Sequence, residues 1–288
     1  MAAFLYTLRD LFFHLVEPWC FMAISVRHIP QTIAAIVHAG EQHKLLSQSA
    51  FSNTLFAHFW ATIGPEIRAN AGEYVVPLLE GRVQAGHVCA DAAHPPLCGT
   101  IIEVGAGCGT WVDVFARIRD THPEAPITKI YGVEPHPQSA ASLTRRVQNL
   151  GLDDIYEIVP VGIESLEDSD SWQGSIAPGS VDCIVSILCM CSIPDAEVNM
   201  RRLYRLLKPG GRWYVYEHVK TTRGGPLVSL YQRLVNIPWS FLLGSCRLCC
   251  STEMRLRAAG QWSEIDLAQP PEQPPYQIIP HLIGTLTK

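Results

Sequence analysis

Positive charge is in short supply in this sequence. The 288 residues carry 22 Lys and Arg against 27 Asp and Glu, a net charge of −5. Holding a phosphodiester backbone takes a basic stripe, and its absence argues against DNA or RNA as a substrate. No internal repeat or low-complexity tract occurs. No uninterrupted apolar run reaches the ~18–20 residues that a membrane-spanning helix needs. The first residues have neither a basic cluster nor a small-residue cleavage site, so no secretory leader is expected. Near Cys246-Arg-Leu-Cys249-Cys250 there is no second Cys-x-x-Cys or His-x-x-x-His at zinc-like distance, so no metal is expected. The chain has ten cysteines but is too long for a small secreted disulfide scaffold. Cys108, Cys183, Cys189 and Cys191 also fall in predicted core elements. The thiols read as reduced and the protein as intracellular, either cytoplasmic or peripherally attached to an internal membrane.

What is present is concentrated in Thr100-Ile-Ile-Glu-Val-Gly-Ala-Gly-Cys-Gly-Thr110. A short apolar run of this kind marks a fully buried parallel strand. Three glycines at alternate positions follow, letting the backbone turn sharply off the strand tip and approach a ligand closely. Trp111 to Arg119 has helical spacing of apolar residues. The glycines therefore sit at a strand-to-helix junction, the place where open α/β sheets bind nucleotide-like ligands. Ile130-Tyr-Gly-Val-Glu134 is a second apolar strand ending in a carboxylate, which can accept hydrogens from both hydroxyls of a ribose. A helix over 141–150, strands over 156–161 and 180–188, and a helix over 201–207 continue the alternation. Lys208-Pro-Gly-Gly211 then predicts a tight turn into a strand over 212–217. Two closing strands, over 262–267 and 276–286, are joined by a proline-rich loop.

Glu103-Val-Gly-Ala-Gly-Cys-Gly109 resembles motif I of the class I S-adenosylmethionine-dependent methyltransferases. Dinucleotide loops instead read G-x-G-x-x-G. An NAD-dependent oxidoreductase would need the third glycine one residue later and would lack the closing strand pair. The resemblance implies an α/β fold, a Rossmann-like seven-stranded mixed sheet with helices on both faces, here preceded by a helical extension. It implies S-adenosylmethionine as cofactor, with Glu103, Gly105, Ala106, Gly107 and Gly109 at its methionine end. Glu134 and Pro135 would lie at the ribose, Gly162, Ile163 and Glu164 beside the adenine, and Leu188 would complete the set. Within that class, Cys191-Ser-Ile193, Glu217-His-Val219, Pro238-Trp239, Gly244 with Cys246, and Pro280-His281 with Gly284 resemble the methyltransferase-like-seven group. These are membrane-associated enzymes that methylate alkyl thiols. The resemblance covers about 100–288. The sequence departs from the group in a longer 41–90 helical insertion, which reshapes the acceptor pocket, and in Glu134 where aspartate is usual.

A sulfonium is already activated, so transfer mainly requires an aligned, nucleophilic acceptor. A thiol with a pKa near 8.5 needs modest help, whereas a hydroxyl needs a positioned base. His218, at the end of the fifth strand, is the expected base, unless it is a supporting histidine held by Glu217. His281 on the last strand could approach the same pocket. Cys191, beyond the fourth strand, either lines the methionine end or is simply a small core residue. The expected function is S-methylation of a small lipophilic thiol. O-methylation of a hydroxyl or phenol is the alternative, and a non-catalytic cofactor-binding scaffold is the competitor from another class.

The remaining organisation follows from breaks in the pattern. Residues 1–40 are expected to form two or three short amphipathic helices separated at Pro18 and Pro30, because proline breaks a continuing helix. They either cap the catalytic domain or lie in a membrane interface. Residues 41–94 form a helical cap with aromatic Phe51, Phe56, Phe59 and Trp60. Residues 95–288 form the catalytic domain, with an apolar insertion at about 222–252.

Overall fold

The computed structural model describes residues 8–288, together with the helical backbone that runs back to Ala2. The chain divides into two compact units. The first comprises the residues up to Ala69, His218–Ser251 and Pro271–His281. The second comprises Asn70–Glu217, Thr252–Pro270 and Leu282–Lys288.

The second unit is built on one sheet. Its strands in chain order are β3 (Gly99–Val104), β4 (Ile127–Val133), β5 (Tyr156–Val159), β6 (Val181–Ile187), β7 (Leu207–His218), β8 (Glu264–Ala268) and β9 (His281–Thr287), after a small β1–β2 hairpin (Val83–Gln84, His87–Val88). The spatial order is β5-β4-β3-β6-β7-β9-β8. Strands β3 to β7 pair in parallel, and β8 pairs antiparallel with β9. The parallel strands are buried on both faces, so they read as continuous apolar runs rather than alternating ones. Ile101, Ile130, Cys183, Val185 and Tyr214 meet Phe115, Ile118, Leu143 and Val147 in one core. The latter four lie on α4 (Val112–Thr121) and α5 (Pro137–Asn149). Ile102, Ile184 and Trp213 have alternate register and are equally buried. From β3 the chain moves outward to β4 and β5, then returns to β6 on the other side. That reversal opens a crevice at the carboxyl ends of β3 and β6.

Two turns differ from the sequence expectation. The Pro-Gly-Gly turn sits inside β7 as a bulge. Val181 pairs with Leu207 and Cys183 with Arg212, so 208–211 loop out between them, with Gly210 at φ +77°. The end of the expected helical cap, 83–88, is a hairpin. Its two-residue loop, Ala85-Gly86, has φ of 51° and 81°, the all-positive pair that matches strand twist in a tight hairpin.

The first unit is helical. It contains α1 (Ala2–Arg27), α2 (Ile29–His38), the first part of α3 (Gln48–Leu79) and α7 (Gly225–Leu242). Pro18 does not separate two helices but lies inside α1. A mid-helix proline loses one backbone hydrogen bond, and burial of the Pro18 ring offsets that loss by packing. Pro30 does mark a boundary, in the first turn of α2, where its missing N–H has no intrahelical partner to lose. Leu8–His38, spanning α1 and α2 with a turn at His28 between them, is long and apolar enough to cross a membrane by length and composition. Of the two or three short helices expected there, two are present, and the first is long because Pro18 does not end it. Trp19 donates to the Tyr231 hydroxyl (2.8 Å), and that hydroxyl donates to the Leu15 carbonyl (2.7 Å), fixing α1 beside α7. Between α7 and α8 (Thr252–Ala258), Gly244 approaches α3 so closely that a Cβ there would lie 2.9 Å from that of Phe56. Among the described residues no disulfide joins any of the ten cysteines.

Candidate functional site

The loop after β3 has the backbone that its glycines predict. Gly105, Gly107 and Gly109 have φ of +65°, +57° and +82°, a region that costs an L side chain roughly 1–2 kcal/mol. The three are not equivalent. A Cβ on Gly105 would lie 2.7 Å from that of Cys189, and one on Gly109 would press on Leu143, Arg146 and Val112 at 3.0–3.1 Å. Gly107 would meet nothing nearer than 3.9 Å. Two of the glycines therefore serve packing, and Gly107 keeps its surface open for a ligand.

Glu134 closes the other side of this cradle. The Gly107 N–H donates to Glu134 Oε2 (2.8 Å), and the His136 N–H donates to Oε1 (2.9 Å). A carboxylate has about four acceptor positions. Both oxygens are oriented by backbone, with capacity left for a diol. Burial pushes the Glu134 pKa up, and the His136 and Gly107 hydrogen bonds pull against that. Ala106 is buried and its N–H is held by the Val133 carbonyl at 3.1 Å. Pro135 is exposed just beyond. Gly162, Ile163 and Glu164 form the turn after β5, with Ile163 buried and Glu164 exposed. The Glu164 carboxylate folds over Gly162, 2.3 Å from where a Cβ would stand.

Glu103 is tied into the sheet by a long-range partner. It is 3% exposed and accepts a hydrogen bond from the Tyr156 hydroxyl at 2.5 Å. Tyr156 is on β5 and Glu103 on β3, with β4 between them. The tyrosine crosses over Gly132, where a Cβ would lie 2.3 Å from its oxygen. Burial raises the Glu103 pKa from 4.5 to about 8, against the Tyr156 hydrogen bond and helped by the nearby Glu134 charge. The unfolded chain loses this proton near pH 4.5 while the folded chain keeps it to about 8. Stability from this residue therefore falls as pH rises across that window. Glu103→Gln keeps the acceptor and removes the titration. Its melting temperature should exceed that of the parent by a margin that widens from pH 5 to pH 8, and parallel curves would contradict the assignment.

At the far side of the crevice Leu188 has φ +53°, uncommon for a bulky residue and a form of strain concentrated at functional sites. Its N–H is held by the Tyr216 carbonyl at 2.8 Å. The next turn is organised by Glu217, which is fully buried. Its carboxylate accepts from the Cys189 N–H (3.1 Å), the Cys189 thiol (3.4 Å) and the Met190 N–H (3.2 Å). Glu217 thus binds the turn after β6, and that turn fills the space left by Gly105. The sequence carried no local signal for it, since the partners lie 27–28 residues apart. Cys191 follows, buried, with its sulfur 3.6 Å from the Ser192 hydroxyl.

The remaining candidates lie in the first unit. His218 Nε2 is 3.2 Å from the Cys246 sulfur, which also accepts from the Trp239 indole N–H at 3.3 Å. All three residues are buried. A sulfur facing two nitrogen groups is poised to share a proton with the imidazole, a pairing that sequence reasoning missed. His281 is clamped by Gln273, whose Oε1 accepts the His281 backbone N–H (2.8 Å) and whose Nε2 donates to Nδ1 (3.0 Å). The backbone contact fixes which amide atom is which, so the imidazole carries its proton on Nε2. Burial, with the nearby His218, lowers the His281 pKa to about 3. His281 is thus a neutral hydrogen-bond donor rather than a base. Cys249 and Cys250 turn away from Cys246, toward Gln232 Oε1 (3.9 Å) and the Arg247 carbonyl (3.1 Å). The aromatic residues of α3 pack on one another, with Phe56 5.9 Å from Phe59 and 5.7 Å from Trp60 between ring centres.

A parallel sheet with an antiparallel closing pair, a glycine loop after its first strand and a buried carboxylate after its second is the arrangement of the S-adenosylmethionine-dependent transferase class. A family described as "Methyltransferase domain" matches residues 75–249, more than half of the sequence, and the chain belongs to that family. It is similar to the thiol S-methyltransferase TMT1B of Rattus norvegicus, 28% identical over 191 residues, or 66% of this chain and 70% of the relative. To the human thiol S-methyltransferase TMT1A it is 26% identical, again over 66% of this chain and 70% of the relative. Among solved structures, a geranyl diphosphate methyltransferase in complex with S-adenosylmethionine superimposes with a TM-score of 0.51 at 17% identity, covering 76% of this chain and 84% of that one. At that identity the likeness concerns the fold. The protein is a methyltransferase, and its cofactor is S-adenosylmethionine. The residues present fit that molecule: Gly107 offers an open surface where a side chain would intrude, and Glu134 has both oxygens oriented with acceptor capacity remaining.

Proposed function

We propose that this enzyme methylates the sulfur of a small lipophilic thiol. The observation that carries the reading is the likeness to proteins named thiol S-methyltransferases, in a chain that retains the glycine cradle and Glu134. When bound, S-adenosylmethionine supplies an activated methyl group. The chain's own part is to hold and orient. Gly105, Ala106, Gly107 and Gly109 form the cradle, Glu134 and Pro135 face the ribose, and Gly162, Ile163 and Glu164 border the adenine. Leu188 and Cys191 edge the transfer region, and Glu217 keeps their turn in place.

His218 is the group to take or share the proton of the incoming thiol. Its present partner, Cys246, shows that this imidazole accommodates a sulfur at hydrogen-bond distance. A thiol ionises near 8.5, so a neutral imidazole is base enough, whereas an alcohol would need a stronger one. His281, neutral and donating through Nε2, can orient but not deprotonate. A lipophilic acceptor fits the many aromatic and aliphatic side chains of α3 and α7, since a polar substrate there would leave its groups unpaired. Such an acceptor partitions into membranes. We therefore read the N-terminal helices as lying in the interface of an intracellular membrane, with no nucleic acid among the partners.

Incubation with methyl-labelled S-adenosylmethionine and matched alkyl thiols, alkanols and phenols tests the proposal. Label should pass to the thiols, and faster as their chains lengthen. Label confined to phenols would replace S- with O-methylation. No transfer despite cofactor binding would leave a scaffold.

A further inference from the structure

Helix α7 presents an apolar stripe that its own fold does not use. Leu227, Leu230, Leu234, Ile237 and Phe241 are all exposed, Leu227 by 81% and the others by 50–58%. Their spacing of three, four, three and four residues places them on one narrow face of a 3.6-residue helix. The folding face of α7 lies elsewhere. Gln232, Val235 and Trp239 are buried, and the Gln232 amide donates to the carbonyls of Val219 (3.3 Å) and Ile278 (2.8 Å) while accepting from the Thr221 N–H (2.9 Å). The helix is therefore locked in place with its second apolar face outward. Alongside it, α1 exposes Leu8, Phe12, Trp19 and Val26, which also share one helical face.

Charge around this face differs in sign from that of the chain. Between Lys220 and Ser251 the sequence contains Lys220, Arg223, Arg233 and Arg247 and no Asp or Glu, a balance of +4 in a protein whose total is −5. All four cationic residues are exposed. An apolar stripe on a segment with exposed cations and no acid of its own, although the adjoining α1 carries Asp10 and Glu17, is the pattern of a helix lying in the headgroup region of an anionic bilayer. The Trp19–Tyr231 hydrogen bond places two amphipathic rings at the seam between the helices, and such rings favour the membrane–water boundary.

We propose that α7, beside α1, is a second footing on anionic lipid, so that this unit lies along the membrane surface rather than hanging from its N-terminus. The choice of partner rests on the membrane reading given above; the assignment of α7 rests on its own stripe and charge. A second copy of the chain or a protein partner would satisfy the apolar stripe but gives no reason for a cationic segment free of acids over 220–251.

The test is co-sedimentation of the full chain with phosphatidylcholine vesicles, with and without phosphatidylserine. The parent should bind, more tightly to the anionic vesicles and less so as salt rises. The double variant L230E/I237E changes only exposed positions, so its melting temperature should be unaltered. Its vesicle affinity should fall by roughly tenfold or more, given ~0.8 kcal/mol per buried methylene. Arg223→Ala with Arg233→Ala, which leaves the stripe intact, should flatten the salt dependence. Equal binding by parent and L230E/I237E would overturn the role of α7 and leave the N-terminal footing standing. No binding by the parent to either vesicle would overturn both. Self-association that L230E/I237E abolishes, without lipid binding, would assign the face to contacts between copies and overturn the proposal.

Discussion

Glu134→Ala should weaken S-adenosylmethionine binding by roughly 10- to 100-fold. Two losses act together. The ribose loses a charged acceptor, and hydrogen bonds to charged groups are worth ~1.5–3 kcal/mol each. The cradle also loses its pin, because Glu134 is what the Gly107 N–H donates to. Glu134→Gln should fare little better. One amide end must face either the Gly107 or the His136 N–H, and a donor cannot accept from a donor. Glu134→Asp should fall between the parent and these two, keeping the charge on a shorter arm. Isothermal titration of the three variants checks this order. An unchanged affinity in Glu134→Ala would remove the residue from the site.

The largest effect on stability should come from a position far from the cradle. Gly284 lies in β9 with φ +139°, and a Cβ there would stand 1.8 Å from the backbone oxygen of Asp266. Gly284 pairs with Leu267 across the β8–β9 ladder, so the obstruction is main chain and cannot rotate aside. Gly284→Ala must push the two strands apart or rebuild the backbone of β9. We expect a loss of at least ~3 kcal/mol, as for strain at special backbone positions, and a fall in melting temperature on the order of 6–12 °C. By contrast, Gly210→Ala has open space around its Cβ; it shares the positive φ (+77°) but not the collision, and should lose much less. Equal shifts in the two variants would mean that φ alone sets the loss.

The central sheet was legible because its signals are local. The buried strands β3, β4 and β5 are short apolar runs closed by Gly105, Glu134 and Pro160, and the cradle is three glycines at fixed spacing. The closing strands were legible for the same reason. What escaped were decisions made by tertiary packing. Pro18 obeys the local rule only if nothing buries its ring, and here it is buried. The hairpin at 83–88 has strands of two residues each, too short for any periodicity to register. The glycine loop follows β3 and Glu134 follows β4, as the local pattern implies. Glu103 also accepts from Tyr156, 53 residues away, which reaches it across Gly132. His218 meets Cys246, a contact spanning 28 residues. Pairings at such separations leave no periodic trace in one sequence, although the acids, thiols and imidazoles that make them were all visible as candidates.

The most direct measurement is calorimetric titration of the unaltered protein with S-adenosylmethionine, its demethylated product and NAD. The account predicts saturable binding of the first two, competition between them for a single site, and no heat from NAD. Binding of NAD more tightly than either would contradict it, because the cradle at Gly105–Gly109 would then belong to a different chemistry.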